Sequence, residues 1–385
     1  MAGDAGVTPQ TGPATAAESG SQPAAALGPE LVTEFDAGDM LGWIAGLPRQ
    51  LTAGYAAAGS ALAGAFAEDA ASGAPVRPTG VILCGMGGSA IGADLVLACL
   101  PGLDVPAAVV RGYDLPAWAG PQTLVIMASH SGETEETLSC AAAALERGCR
   151  PVCVASGGAL ERFADEHGLH FVKVPGGGQP RAAVGYLTAP LLAALEAAGL
   201  ADRVKDSIDE AAAVLRDGNE SLGPERPPAA NPAKALALRL HGRQAVVYGA
   251  GLTVPAARRW KGQINENAKA PAFWNELPEL DHNELVGWTS LPLVASSSLV
   301  VFLEDAACDP RLRRRAELTA AELEALGVAV ERVSARGESR LARLFSLVQL
   351  GDYVSFYLAL LYGVDPTPVR ALQDFKAKLA GGAGG

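Results

Sequence analysis

The run Ser129-His130-Ser131-Gly132-Glu133-Thr134-Glu135-Glu136-Thr137 places hydroxyls and a glycine between two apolar segments. Leu124 to Ala128 ahead of it has the continuous apolar pattern of a buried strand, and Leu138 to Leu145 behind it reads as a helix. Hydroxyls on a strand-to-helix turn, beside free backbone N–H groups and the positive end of a helix dipole, favour an anion. The anion that suits Ser129, Ser131, Thr134 and Gly132 is a phosphate monoester, which points to a sugar phosphate. The plainer reading, a helix N-cap with local turn bonds, is compatible with it.

A second loop, Gly85-Met86-Gly87-Gly88-Ser89-Ala90-Ile91-Gly92, follows the apolar run Val81–Cys84 and opens a helical stretch. Glycines there allow a tight turn and close backbone approach to a ligand. Gly85, Gly87 and Ala90 also match the dinucleotide fingerprint G-x-G-x-x-A, which asks for an acid near the end of the second strand. Here that strand runs into Arg111, with Asp114 beyond it. A 2′-phosphate would accommodate the arginine, and a purely structural turn is a third reading. Two Gly/Ser loops at the carboxyl ends of neighbouring strands bracket one crevice. A dinucleotide needs one such loop, whereas a small phosphorylated sugar uses both Gly87-Gly88-Ser89 and Ser129–Thr134.

Further along, Gly176-Gly177-Gly178-Gln179-Pro180 delivers Arg181 to the same sheet edge, where an arginine holds an anion or a developing oxyanion or is simply a solvated surface group. Asn265-Glu266-Asn267 lies in a helical stretch, and Leu277 to Glu284 carries His282. In isolation Glu266 reads as a surface carboxylate and His282 as a structural histidine. The surrounding Trp260, Phe273, Trp274 and Trp288 argue that this polar segment is part-buried.

The elements that must position these residues form a series. Strands are expected at Val81–Cys84, Ala107–Val110, Leu124–Ala128, Val152–Ala155 and Phe171–Val174, with helices between them, the βαβ signature of an open parallel sheet. A helical pattern runs from Phe35 to Tyr55, interrupted by Pro48. Residues 223 to 232, rich in proline, read as a linker. Beyond it the theme recurs, with strands at Ala245–Tyr248, Leu299–Leu303 and Val328–Val333, a helix from Arg311 to Leu326, and closing helices at Leu344–Tyr362 and Pro368–Leu379. The second half thus reads as a degenerate copy of the first. Residues 1–28, rich in Ala, Gly, Pro and Ser, are expected to be a disordered tail, 29–222 a first α/β domain and 223–385 a second.

A chain of 385 residues suffices for two cores. Its net charge of −12 and lack of a basic stripe argue against nucleic acid. No apolar run reaches the roughly 18–20 residues of a membrane span, and the N-terminus does not read as a secretory signal. The six cysteines make neither a zinc pattern nor a disulfide framework, so all are expected to be reduced in a cytoplasmic protein.

Taken together, these residues resemble the bifunctional phosphoglucose/phosphomannose isomerases, a branch of the sugar isomerase (SIS) domain superfamily. The matching pieces are Gly85–Gly92, Ser129–Thr137, Gly176–Leu187, Arg259-Trp260-Lys261 with Asn265–Lys269, Leu277–Trp288, and Gly363-Val364-Asp365-Pro366 with Leu372–Leu379. The likeness runs from about residue 34 to the C-terminus. It implies two tandem SIS domains, each a flavodoxin-like parallel sheet flanked by helices, a homodimer, and aldose–ketose isomerisation among glucose, mannose and fructose 6-phosphates. It implies that Ser129, Ser131 and Thr134, helped by Ser89, bind the phosphate. Glu266 would shuttle a proton between C1 and C2, and Arg181 would steady the enediolate. His282, arriving from the other subunit, would open the sugar ring, assisted by Lys376, with Lys378 as the alternative.

The chemistry asks for these types. A C–H beside a carbonyl is a weak acid and needs a partly desolvated carboxylate in reach, a donor where negative charge builds, and a separate relay for ring opening. No metal or redox cofactor is required. Three positions depart from the family's habit: His130 where Tyr is common, Glu133 where Asn is frequent, and Ala90 where some relatives carry another hydroxyl. Glu133 adds negative charge beside the phosphate loop. The alternatives are a non-catalytic SIS sensor regulating a partner, which would usually carry a DNA-binding domain, and an amidotransferase, which needs a nitrogen supply such as a glutaminase domain beginning with Cys, where this chain has Ala2.

Overall fold

The computed structural model describes residues 27–66 and 77–381. Most of the expected N-terminal tail lies outside the described residues. Two parallel sheets organise the rest. The first has the order β2-β1-β3-β4-β5, from β1 (Gly80–Cys84), β2 (Ala107–Val110), β3 (Thr123–Ser129), β4 (Arg150–Ala155) and β5 (His170–Lys173). The second has the order β7-β6-β8-β9, from β6 (Gln244–Ala250), β7 (Ala272–Leu277), β8 (Ser298–Glu304) and β9 (Ala329–Ser334). Cys84, the last residue of β1, pairs with Met127, so β3 runs two residues further to Ser129, whereas Tyr248 pairs with Phe302 and β6 and β8 end level. In both, strand order reverses beside the first strand, between β1 and β3 and between β6 and β8, where open α/β sheets form a ligand crevice.

The continuous apolar runs are explained by burial on both faces. Along β1 and β3, Val81, Leu83, Leu124 and Ile126 face one large core, while Ile82, Val125 and Met127 face a smaller one with Cys140, Ala144 and Leu160. On the second sheet Val247, Leu299 and Val301 join the same large core, and Val246, Tyr248, Val300 and Phe302 face outward into a third. The two sheets therefore share a core built by the helices between them. Arg340–Leu361 is its centre, with Phe345 and Phe356 fully buried, each such side chain stabilising the fold by about 1.5–3 kcal/mol.

The structure departs from the expectations at several points. Phe35 to Tyr55 is not one interrupted helix: Asp36 and Asp39 cap a break, and helices run Pro29–Phe35, Met40–Ala45 and Leu47–Ala61. Strand β7 was not anticipated, because Phe273, Trp274, Asn275 and Glu276 are each at least partly exposed on an edge and show no buried-strand pattern. Residues 223–232, expected as a linker, do join the helices Val204–Leu222 and Pro232–Leu240, and the segment is tied down. Buried Asn231 donates to the Leu222 and Gly223 carbonyls, and Lys234 to those of Pro224 and Arg226. Arg340–Leu361 is long and apolar enough to cross a membrane, contrary to the expectation that no run is, yet 89% of its apolar window is buried within the protein. All six cysteines are free.

Candidate functional site

Ser129 ends β3 as a buried residue. Its Oγ accepts the Gly132 N–H at 3.1 Å and lies 2.8 Å from the Thr134 hydroxyl. Ser131 Oγ accepts from the Glu133 N–H at 3.2 Å. Ser89 Oγ accepts from the His130 N–H at 3.3 Å, joining the two loops. Thr134 stands at the N-cap of the helix Glu135–Glu146 without a side-chain cap bond, which leaves the first N–H groups of that helix to another acceptor. Gly132 has φ +71, and a Cβ there would lie 1.8 Å from the Gly157 carbonyl oxygen, so only glycine permits this approach.

Glu133 turns away from the hydroxyls. Its Oε1 accepts the Ala159 N–H at 2.9 Å, and Arg162 lies 3.7 Å from it. The charge therefore sits at the N-terminus of the helix Gly158–His167, where the dipole favours it. His130 is a buried strut, with Nε2 3.2 Å from the Pro175 carbonyl and its own carbonyl accepting from Ser156 at 2.7 Å. Burial pushes its imidazole below the ordinary histidine value.

Arg181 lies in the single turn Pro180–Ala182. Buried Gln50 fixes that turn, donating to the Ala182 carbonyl at 2.9 Å and accepting from the Gly185 N–H at 3.1 Å. A Cβ on Gly88 would be 2.7 Å from the Pro180 oxygen, so glycine lets the two loops close together. The Arg181 side chain is 4% exposed. It donates through Nε to Asn267 at 2.7 Å and through Nη2 to the carbonyls of Pro366 at 2.7 Å and Thr367 at 2.8 Å. Nη1 is shared between Gln179 at 3.2 Å and Glu266 Oε2 at 3.4 Å, both long for such bonds. Burial lowers the pKa of its guanidinium, with the Glu266 charge opposing that shift.

Glu266 and its supports come from the helix Val254–Asn267. Arg259 donates to the Arg181 carbonyl at 2.7 Å and makes two bonds to Asp352, at 3.1 and 2.8 Å. Gln263 donates to the same carboxylate at 2.8 Å, and burial raises the Asp352 pKa against the pull of Arg259. Lys269, at φ +55, donates to the carbonyls of Glu266 at 2.7 Å and Pro366 at 3.1 Å. Burial, reinforced by the Arg181 charge, holds its amine down at about 8.

Glu266 borders two clefts. One, of ≈ 340 Å³, is walled by Gly87, Gly88, Arg181, Glu266 and Trp274 among others. The other, of ≈ 800 Å³, includes Glu266, Lys269 and the segment from Val364 to Leu372. The fold thus brings Gly87, Gly88, Arg181 and Glu266 together, and the hydroxyl loop of Ser129, Ser131, Gly132 and Thr134 adjoins them through Ser89 without lining either cleft. His282 ends the turn Glu279–His282 as an exposed residue and lines neither cleft. Lys376 falls in the helix Arg370–Gly381, its side chain outside the described residues, while Lys378 is exposed.

The crevice of the second sheet differs in chemistry. It is a cavity of ≈ 280 Å³ bordered by Glu304 and Asp305, engaged by Arg332 at 2.8 Å and Arg343 at 2.9 Å. Carboxylates replace the hydroxyls there, which disfavours a phosphate. Among the described residues no three His, Cys, Asp or Glu side chains gather as a metal site. The sequence reading missed Asp352, Gln263, Asn267 and Gln50 as supports. The signal for Asp352 was present, since it is the one acid in the largely apolar helix Arg340–Leu361.

Residues 229–379 match the model of the bacterial phospho-glucose isomerase C-terminal SIS domain. A bifunctional phosphoglucose/phosphomannose isomerase of Caldicellulosiruptor bescii is 43% identical over 302 residues, 78% of this chain and 89% of that protein. One of Aquifex aeolicus is 38% identical over 302 residues, 78% of this chain and 90% of its own. In fold, the chain resembles the crystal structure of a hypothetical protein from Thermus thermophilus, with a TM-score of 0.73 at 19% identity over 93% of this chain and 94% of that one. With the paired parallel sheets and the Arg181–Glu266 cleft described above, these matches mean that the chain belongs to the bifunctional phosphoglucose/phosphomannose isomerase family of SIS-domain proteins.

Proposed function

We propose that Glu266 is the base of this site and that Arg181 Nη1 is the donor to the enediolate oxygen. The enzyme is an aldose–ketose isomerase that interconverts glucose 6-phosphate and/or mannose 6-phosphate with fructose 6-phosphate through a cis-enediol. The observation that carries the assignment of residues is the convergence of a half-exposed carboxylate and a buried guanidinium on one cleft beside a glycine loop. Glu266 takes the proton from the carbon next to the carbonyl and returns it to the neighbouring carbon. Arg181 has its other donors committed to fixed acceptors, so Nη1 is preorganised at the place where charge develops. The proton only moves between adjacent carbons, so the step needs neither a metal nor a redox cofactor. One base over a planar enediol serves both C2 epimers.

The hydroxyls of Ser129, Ser131 and Thr134, with Ser89, hold the phosphate. Two SIS domains, residues 29–222 and 223–385, complete this reading, with Lys376, or Lys378 in its place, at the ring oxygen. A homodimer in which His282 crosses to its partner's site is favoured by exposed apolar side chains in the same stretch of chain. Phe273, Val286, Leu291 and Leu293 are 57%, 71%, 61% and 85% exposed, apolar surface that a second copy would cover. A cytoplasmic location agrees with six free thiols. Neither a membrane nor nucleic acid has a place in this reading. Incubation with fructose 6-phosphate and assay for glucose 6-phosphate and mannose 6-phosphate tests the activity. Tight binding with no conversion would restore the sensor reading.

A further inference from the structure

Cations crowd one wall of the smaller cleft that contains Glu266. Arg111, just beyond β2, and Arg258 and Lys261, on the helix Val254–Asn267, all line it. Arg111 and Arg258 share one carboxylate: Asp94 pairs directly with Arg111 and lies 3.3 Å from Arg258. The Arg258 guanidinium also stands 5.6 Å from the Trp274 ring centroid. Half-buried Lys261 has neither an ion pair nor a hydrogen bond among the described residues. The remaining arginines of the cleft are balanced, Arg181 by Glu266 and Arg259 by Asp352. Three cations against one carboxylate leave two positive charges facing the space beside the base.

Part-buried charge without a partner is costly, and a cleft of one sign draws a counter-ion. Neither the proton transfer nor the hydroxyl loop makes use of these groups. A dianion matches the excess, and arginine with lysine is the donor set that phosphate takes. We infer that Arg111, Arg258 and Lys261 form a second anion subsite, so that a hexose carrying a phosphate at each end binds across the cleft. One phosphate lies on the hydroxyl loop, which adjoins the cleft through Ser89, and the other on this cluster. The volume of ≈ 340 Å³ falls at the small-ligand end of the usual range of about 300–1,000 Å³.

The aldohexose form of such a ligand is not a substrate. An aldohexose 1,6-bisphosphate is esterified at its anomeric carbon, so its ring does not open and no C–H lies next to a carbonyl. It occupies the site without turnover and competes with the monophosphate. The subsite thereby couples the isomerase to the level of doubly phosphorylated sugar. The assignment rests on the isomerase reading for where the first phosphate sits.

The experiment compares an aldohexose 1,6-bisphosphate with a hexitol 6-phosphate, which has one phosphate and no carbonyl. Dissociation constants come from calorimetry, and inhibition constants from the isomerase assay, on the full chain. The bisphosphate is expected to bind at least about tenfold tighter, and Lys261→Met and Arg258→Met each to reduce that ratio toward one. Lys261→Met removes a side chain with no bond to lose, so it tests the idea even where Arg258→Met perturbs folding. A ratio near one in the unaltered protein overturns the inference. So do variants that weaken both ligands equally, since the cluster would then hold the substrate's own phosphate. A protein that shows the ratio but no turnover keeps the subsite and loses the isomerase reading.

Discussion

The Nη1 of Arg181 lies 3.4 Å from Oε2 of Glu266, although the two residues are 85 positions apart and come from different halves of the chain. The distance is long for a bond and short for a coincidence. Each partner is fixed from behind, Arg181 by Asn267 and two backbone carbonyls, and the Glu266 helix by the Arg259–Asp352 pair. The gap between them is therefore held open rather than closed by a strong ion pair, leaving a carboxylate able to take a proton and a donor able to meet an oxyanion.

Glu266→Gln keeps the shape of the site and removes the proposed base. Turnover is expected to fall by about 10²–10⁴-fold, with binding of a hexitol 6-phosphate unchanged. Steady-state kinetics beside calorimetry separates the two effects. A variant that isomerises at the parent rate would remove Glu266 from the mechanism.

Glu133 is expected to matter for stability, not affinity. Its carboxylate caps the helix Gly158–His167 through the Ala159 N–H. Glu133→Gln should cost about 0.3–1 kcal/mol, read as a small fall in Tm, and leave KM for the sugar phosphate within about threefold. A large gain in affinity would show that the charge faces the phosphate after all.

Asp352 is nearly inaccessible and bonded to Arg259 and Gln263. Asp352→Ala leaves the Arg259 charge buried without its partner, a loss of about 3–5 kcal/mol. Denaturant unfolding measures it. A loss below about 1 kcal/mol would mean that water or another group takes the place of the carboxylate.

Lys269 is expected to give the site a pH dependence. Burial, with the Arg181 charge, lowers its amine from 10.5 to about 8. As pH rises through about 8 the folded protein loses this positive charge beside Glu266, so KM for the dianionic substrate should climb, and Lys269→Met should lack that limb. Between about 8 and 10.5 the unfolded chain holds the extra proton, so this group's contribution to stability increases with pH across that window. A KM profile unaltered by Lys269→Met would exclude the role.

His282 lines neither cleft that Glu266 borders in its own chain. If it serves the partner's site, mixing Glu266→Gln subunits with His282→Ala subunits makes hybrids with one intact site. Random exchange should then restore about a quarter of the parent activity. No restoration would place both residues in one chain's site or remove His282 from it.

The parallel sheets, both glycine loops and the hydroxyl turn were legible in the sequence, because a strand buried on both faces must be apolar throughout and a loop at its end must be polar or glycine. Strand β7 was not legible, since an edge strand with exposed Phe273 and part-exposed Asn275 carries no such pattern. The break before residue 40 was hidden for a related reason: Asp36 and Asp39 act through local caps that periodicity does not register. Glu133 shows the limit most clearly, because its residue type warned of repulsion and only the approach of the helix Gly158–His167 revealed where the charge goes. Local pattern settles which segments are strands buried on both faces and which loops are rich in glycine and hydroxyls, as those follow from the solubility and backbone freedom of each residue. The meeting of Arg181 with Glu266, and of Arg111 with Arg258 across Asp94, depends on how two sheets share one core, a matter of packing that no single stretch of chain contains.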